Sequence, residues 1–167
     1  MEDSPWHVAY QLPEQAPDFT LEHVLGHHVS LSQYRGRWVV VLFGGTRSAG
    51  QLKDGIMTIR SRFGPDQVTV ITVSDLRQAP RPARRVVKGK LKKQYDEAVG
   101  QAAALPNAGP DPASDILMLI DWSGEVIDQY GLNVDDEAVA IAINDQGQIV
   151  GSGSGAQLGE QIIAIWS

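Results

Sequence analysis

The sequence predicts an α/β domain in which a mixed central sheet carries helices on both faces and follows an N-terminal β-hairpin. Three observations carry that prediction. Trp38 to Phe43 and Val68 to Val73 are unbroken apolar, β-branched runs, the pattern of strands buried on both faces. Between them Leu52, Ile56, Ile59 and Phe63 recur near a helical period and stop at Gly64-Pro65. Strands and helices then keep alternating until a terminal hairpin, an order that points to a mixed sheet covered on both sides.

Taken in order, Val8 to Gln15 reads as an extended lead-in segment. Pro17 to Leu21 and Val29 to Leu31 form a hairpin about the turn at Gly26. Ser32 to Arg35 makes one short helical turn closed by Gly36. After the Trp38–Phe43 strand, Gly44 to Gly50 is a loop and Ala49 to Phe63 a helix. Val68 to Val73 ends at Ser74-Asp75, and Arg81 to Gly100 is helical after Pro82. Ala102 to Ala113, rich in Ala, Pro, Gly and Asn, reads as a loop. Ile116 to Ile120 is a third strand, and Glu125 to Tyr130 a short helix closed by Gly131. Val139 to Ile143 is a fourth strand, turned by Asn144 to Gly147 onto Gln148 to Val150. Ser152 to Gly155 reads as flexible, and Leu158 to Trp166 as the closing helix. No internal repeat is present.

A chain of 167 residues suits one domain, residues 1–167, with a sizeable core. Met1 to Tyr10 carries Glu2 and Asp3 and no apolar stretch, so it does not read as a secretory signal. The longest apolar run is far too short to cross a bilayer. The expectation is a cytoplasmic protein with no membrane association. There is no cysteine, which excludes disulfides, thiolate metal sites and every thiol mechanism within the chain.

The net charge of −6 conceals an asymmetry. Between Leu76 and Tyr95 there are eight bases and no acid, leaving six bases against twenty acids elsewhere. On a helix Arg84, Lys88 and Lys92 share a face, flanked by Arg85 and Lys93. Such a stripe suits an acidic protein partner, including the acidic surface of a second copy in a homodimer, or simply a solvated face. Nucleic acid is disfavoured, because only Tyr95 is at hand for stacking and the rest of the chain is acidic.

The loop Gly44 to Gln51 resembles two catalytic frames and satisfies neither. A nucleophile elbow needs G-x-S-x-G, but Gly45 stands one residue too far from Ser48, and all four histidines precede the serine. A phosphate loop needs Lys and Ser/Thr after its last glycine, where Gln51 and Leu52 stand. Two readings remain open: a small anion held by Thr46, Arg47, Ser48 and backbone N–H groups, or Ser48 as the helix cap. His23, His27 and His28 surround one turn without a completing carboxylate and read as surface histidines, so no metal is expected. Asp135, Asp136 and Glu137 read as a solvated acidic loop.

Four segments carry a family resemblance. Ala16-Pro17-Asp18-Phe19-Thr20-Leu21 and Val29 to Phe43 resemble the opening of the alkyl hydroperoxide reductase and thiol-specific antioxidant family. Tyr130-Gly131-Leu132 and Ile143 to Ile149 resemble its later motifs, in the same order. The resemblance implies a thioredoxin-like fold of the peroxiredoxin branch, and peroxidase or thiol–disulfide chemistry at the end of the first core strand. It places Ser48 on the nucleophilic cysteine and Gln51 on the resolving one, or Ala49 on the nucleophile in the peroxiredoxin register. It also places Ala138 at the family's cis-proline. With no thiol at any of these positions, the expectation is a redox-inactive relative that acts in binding or assembly, has no cofactor, and has an unidentified protein or small anion as partner. The alternative is an oxidoreductase working with a partner's thiol.

Overall fold

The apolar runs become the centre of a seven-stranded mixed sheet in a computed structural model that describes residues 12–106, 108–111 and 116–166. The strands are β1 (Thr20–His23), β2 (His28–Ser30), β3 (Val39–Gly44), β4 (Thr69–Asp75), β5 (Ile116–Asp121), β6 (Val139–Ile143) and β7 (Ile149–Ser154). Their order is β2-β1-β5-β4-β3-β6-β7. β3, β4 and β5 run parallel, while the two hairpins add antiparallel to either side. Every residue of β3, β5 and β6 is buried, as expected of strands covered on both faces.

The helices are α1 (Ala49–Arg62), α2 (Arg84–Ala103), α3 (Glu125–Gln129) and α4 (Leu158–Ile163). One face of the sheet presents Val40, Leu42, Val70 and Ile116 to Leu52, Ile56 and Ile59 of α1 and Leu158 and Ile162 of α4. The opposite face packs Val41, Phe43, Ile71 and Leu119 on Val126, Ile127 and Tyr130, in and just after α3, and on Phe19. α1 and α4 approach closely because two glycines permit it. A Cβ on Gly55 would lie 2.5 Å from Leu158 Cδ1, and one on Gly159 would lie 2.8 Å from Thr58 Cβ.

α3 is held by Asp121 at the end of β5. One carboxylate oxygen accepts the Gly124 N–H at 3.0 Å, and the other accepts those of Val126 and Ile127 at 2.9 and 3.1 Å. Three N–H groups at the helix start that have no intrahelical acceptor are thereby satisfied.

The structure corrects several sequence expectations. The segment Ser152 to Gly155, expected to be flexible, is ordered: β7 runs through Ser154, Gly155 opens a 3₁₀ turn, and Gly151, Ser152 and Gly153 are buried. The glycine at 153 marks close approach, since a Cβ there would lie 2.8 Å from Gln161 Oε1 and 3.1 Å from Leu158 O. α2 continues to Ala103, into the expected loop. The closing helix is α only to Ile163 and tightens to a 3₁₀ turn over Ala164–Trp166. His23 is buried rather than on the surface. The expected segment at Met1 to Tyr10 and His7 lie outside the described residues, as do positions 8–11 of the lead-in and 107, 112 and 113 of the expected loop. Within the described part, the lead-in reaches the terminal hairpin: Ile149 N–H donates to Glu14 O, and Ala16 N–H to Gly147 O.

Candidate functional site

β3 ends at Gly44 because α1 folds directly over it; a Cβ there would lie 2.7 Å from the Leu52 side chain. The chain turns through Gly45, Thr46 and Arg47 and enters α1 after Ser48. Facing this turn is the segment 132–138 that leads from α3 to β6. A Cβ on Gly45 would lie 3.3 Å from Val134 O, so the two segments are in close contact.

Ser48 occupies the cap position of α1 but its side chain makes no capping bond. Its Oγ accepts the Gly45 N–H at 2.9 Å and donates to Val134 O at 2.8 Å. The residue is 1% exposed. Of the two readings left open for Ser48, the side-chain cap is therefore corrected: the hydroxyl ties the turn to the opposite segment. Its proton is committed to Val134, so it is not on offer to an anion.

One helical turn on, Gln51 Oε1 accepts the Ala138 N–H at 2.7 Å. Ala138 is fully buried, and there is no cis peptide bond among the described residues. A proline at this position would have no N–H to give. The alanine has one, and the glutamine satisfies it. Arg47 spans the same two segments from outside, with its Nη2 3.3 Å from Asp136 Oδ1, both side chains being largely exposed. Thr46 is exposed. Asp135 donates its N–H to Asn133 Oδ1 at 3.1 Å.

Among the described residues, the Ser48 hydroxyl bonds only backbone groups, the Gly45 N–H and Val134 O, and no histidine or carboxylate. The described histidines lie on the β1–β2 hairpin, and β5 and β4 intervene between β1 and β3. His23 packs under α2, edge-on to Tyr95 at 5.1 Å and stacked with His27 at 4.7 Å. Its Nδ1 accepts the Leu25 N–H. Burial, reinforced by the neighbouring His27, pushes the imidazole down from 6.5 to about 4. Among the described residues, no group of three or more His, Asp or Glu is placed to hold a metal.

The basic stripe is partly used within the chain. Lys88 Nζ bonds Glu22 Oε2 at 2.5 Å, and Trp122 Nε1 donates to Glu22 Oε1 at 3.2 Å. The Lys88 hydrogen bond holds the Glu22 carboxyl below its ordinary range, against the effect of burial. The Arg84 guanidinium lies over the Trp122 ring, 5.0 Å from its centre. Arg85 and Lys92 are exposed. No described helix is long and apolar enough to cross a membrane.

The structure brings Ser48, Gln51 and Ala138 into one locality, and their bonds to each other's segments are not readable from the sequence. Sequence reasoning also passed over Thr72 and Ser74, whose hydroxyls follow Val70 at alternate positions on one face of β4. These two hydroxyls are the sequence signal for the cavity that Thr72 and Ser74 line together with Gly45 and Thr46 of the turn and Ala49 of α1.

Comparison with solved structures finds the same fold in a thioredoxin, a thiol:disulfide interchange protein and StoA. The exposed lipoprotein thioredoxin Etrx1 of Streptococcus pneumoniae is 20% identical with a TM-score of 0.61, over 89% of this chain and 96% of that one. A thiol:disulfide interchange protein from a Bacteroides species is 18% identical with a TM-score of 0.61, over 93% and 90%. StoA of Bacillus subtilis is 16% identical with a TM-score of 0.60, over 93% and 100%. At such identities the likeness establishes the thioredoxin-like fold. Comparison with curated proteins finds no match. The profile of the AhpC/TSA family matches residues 12–151, which include β3, the Ser48 turn and β6, and the chain belongs to that family as a member without cysteine.

Proposed function

We propose that this protein is a redox-inactive member of its family that acts by binding or assembly. The observation that carries the reading is the bonding of Ser48 and Gln51. On the positions where the family resemblance places the two cysteines, one side chain is bound to Gly45 and Val134 and the other to Ala138. Both are structural contacts, and neither residue has sulfur's capacity to be oxidised and reduced. The fold alone does not carry the family's activity when the reacting group is missing.

A partner's thiol would need a local cysteine with which to form a mixed disulfide, and there is none. The test is reduction of insulin disulfides by the full chain with dithiothreitol, or with a thioredoxin system. The reading expects the rate of the protein-free blank. A rate above the blank, proportional to protein concentration, would overturn it.

A further inference from the structure

Beneath α1 and α2 the sheet does not close. β4 turns Val70, Thr72, Ser74 and, just beyond its end, Leu76 toward these helices. At the centre of that row, where large aliphatic side chains would fill the space, stand two small hydroxyl residues, Thr72 and Ser74. Above them lies a cavity of about 380 Å³. Leu52 and Ile56 of α1, Val87 and Leu91 of α2, and Met118 of β5 form its apolar walls.

The cavity opens to solvent at its rim and has the volume of about a dozen waters. It falls at the lower end of the range of small-molecule sites. Two further features give it chemical direction. Lys53 and Lys90 stand exposed at its rim; neither is ion-paired among the described residues, and no carboxylate lines the cavity. On the floor, Thr72 Oγ1 reaches Leu117 O at 3.4 Å, while the Ser74 hydroxyl opens on the cavity with no hydrogen-bond partner among the described residues. That oxygen is reached from the cavity, so a ligand's polar atom can take the place of water on it.

We propose that this cavity binds a medium-chain carboxylate bearing a hydroxyl at its far end. The apolar chain lies against Leu52, Ile56 and Leu91, and the terminal hydroxyl meets Ser74. The carboxylate stays at the rim between Lys53 and Lys90, where it keeps contact with water and avoids the cost of burying a charge. The proposal goes beyond the loss of thiol chemistry. Turnover in the insulin assay would overturn that reading and leave the cavity's chemistry standing.

The test is calorimetric titration of the full chain with 10-hydroxydecanoate, decanoate and 1,10-decanediol, each below its aggregation concentration. Saturable one-to-one binding of 10-hydroxydecanoate is expected, at least tenfold tighter than either analogue. Lys53→Gln/Lys90→Gln, two surface changes compatible with folding, should abolish the preference for the acid over the diol. Ser74→Ala should abolish the preference for hydroxydecanoate over decanoate. Absence of saturable binding, equal affinity for the three probes, or preferences unchanged in these variants would overturn the proposal.

Discussion

The Gln51 side-chain carbonyl accepts the backbone N–H of Ala138 at 2.7 Å, joining the first turn of α1 to the residue just before β6. The two residues complement each other at the position where the family resemblance implies a proline, which would bring no N–H. An alanine at 138 brings a buried N–H that needs an acceptor, and the residue one turn into α1 is one of the few types that can reach it. Ser48 makes the parallel tie to Val134. Together they fix the turn after β3 against segment 132–138.

Gln51→Met therefore keeps the side chain's length and removes the acceptor. Leaving the Ala138 N–H unsatisfied should cost about 1–3 kcal/mol. Gln51→Glu, which keeps an acceptor, should lose less. Urea unfolding of the two variants checks the ordering, and equal losses would show that the bond contributes little.

Ser48→Cys should not restore the family's chemistry. The new thiol would sit at a position 1% exposed, donating toward the Val134 carbonyl. Burial raises a thiol's pKa, and the Val134 carbonyl favours the protonated form by accepting its proton. In the native variant a disulfide reagent such as Ellman's should react slowly, and after denaturation at the rate of a free thiol. Fast reaction in the native state would show that the turn opens readily.

His23 predicts a pH dependence of stability. Its folded value, about 4, lies below the ordinary 6.5. Between those two values the unfolded chain holds more protons than the folded one, so stability rises with pH through the window. His23's contribution is fully present above about pH 6.5, falls by up to about 1.4 kcal/mol per unit on acidification, and is exhausted below about pH 4, a total on the order of 3 kcal/mol. Protonation also removes the Nδ1 lone pair that accepts the Leu25 N–H. Urea midpoints from pH 4 to 8 should show this slope in the parent chain, and His23→Gln should flatten it.

Asp121 should be among the costliest acids to replace. Its carboxylate accepts three N–H groups and is 1% exposed. Asp121→Ala strands all three and should lose about 2–4 kcal/mol, since a single buried group left unsatisfied already costs about 1–3 kcal/mol. Asp121→Asn, which keeps one acceptor oxygen, should fall between the two. Loss of less than about 1 kcal/mol in the alanine variant would mean that water reaches these groups.

The sheet's centre is legible in the sequence because Val39–Phe43 and Val70–Val73 lack the regular polar alternation that would obscure them. α1 is equally plain, with apolar positions at helical spacing and a Gly-Pro stop. What stays hidden depends on partners distant in sequence. Nothing near Ser48 reveals that Val134 lies opposite, and nothing near His23 reveals that Tyr95 covers it. The glycines of β7 mislead for a physical reason. Gly153 resembles a flexible residue in sequence, but it is selected by the backbone and side chains of α4 pressing on it. The basic stripe is visible in composition, but Glu22 and Trp122, which engage Lys88 and Arg84, come from other parts of the chain. At the candidate site the missing cysteines are visible at once, while the hydrogen bonds that stand in their place require the fold.

The central claim is that the Ser48 and Gln51 positions hold the fold together and perform no redox chemistry. Hydrogen peroxide consumption by the purified chain, followed with dithiothreitol and with a thioredoxin system, tests it most directly. The account predicts the rate of the protein-free blank at every protein concentration. Catalytic consumption that scales with protein, over many turnovers, would contradict it.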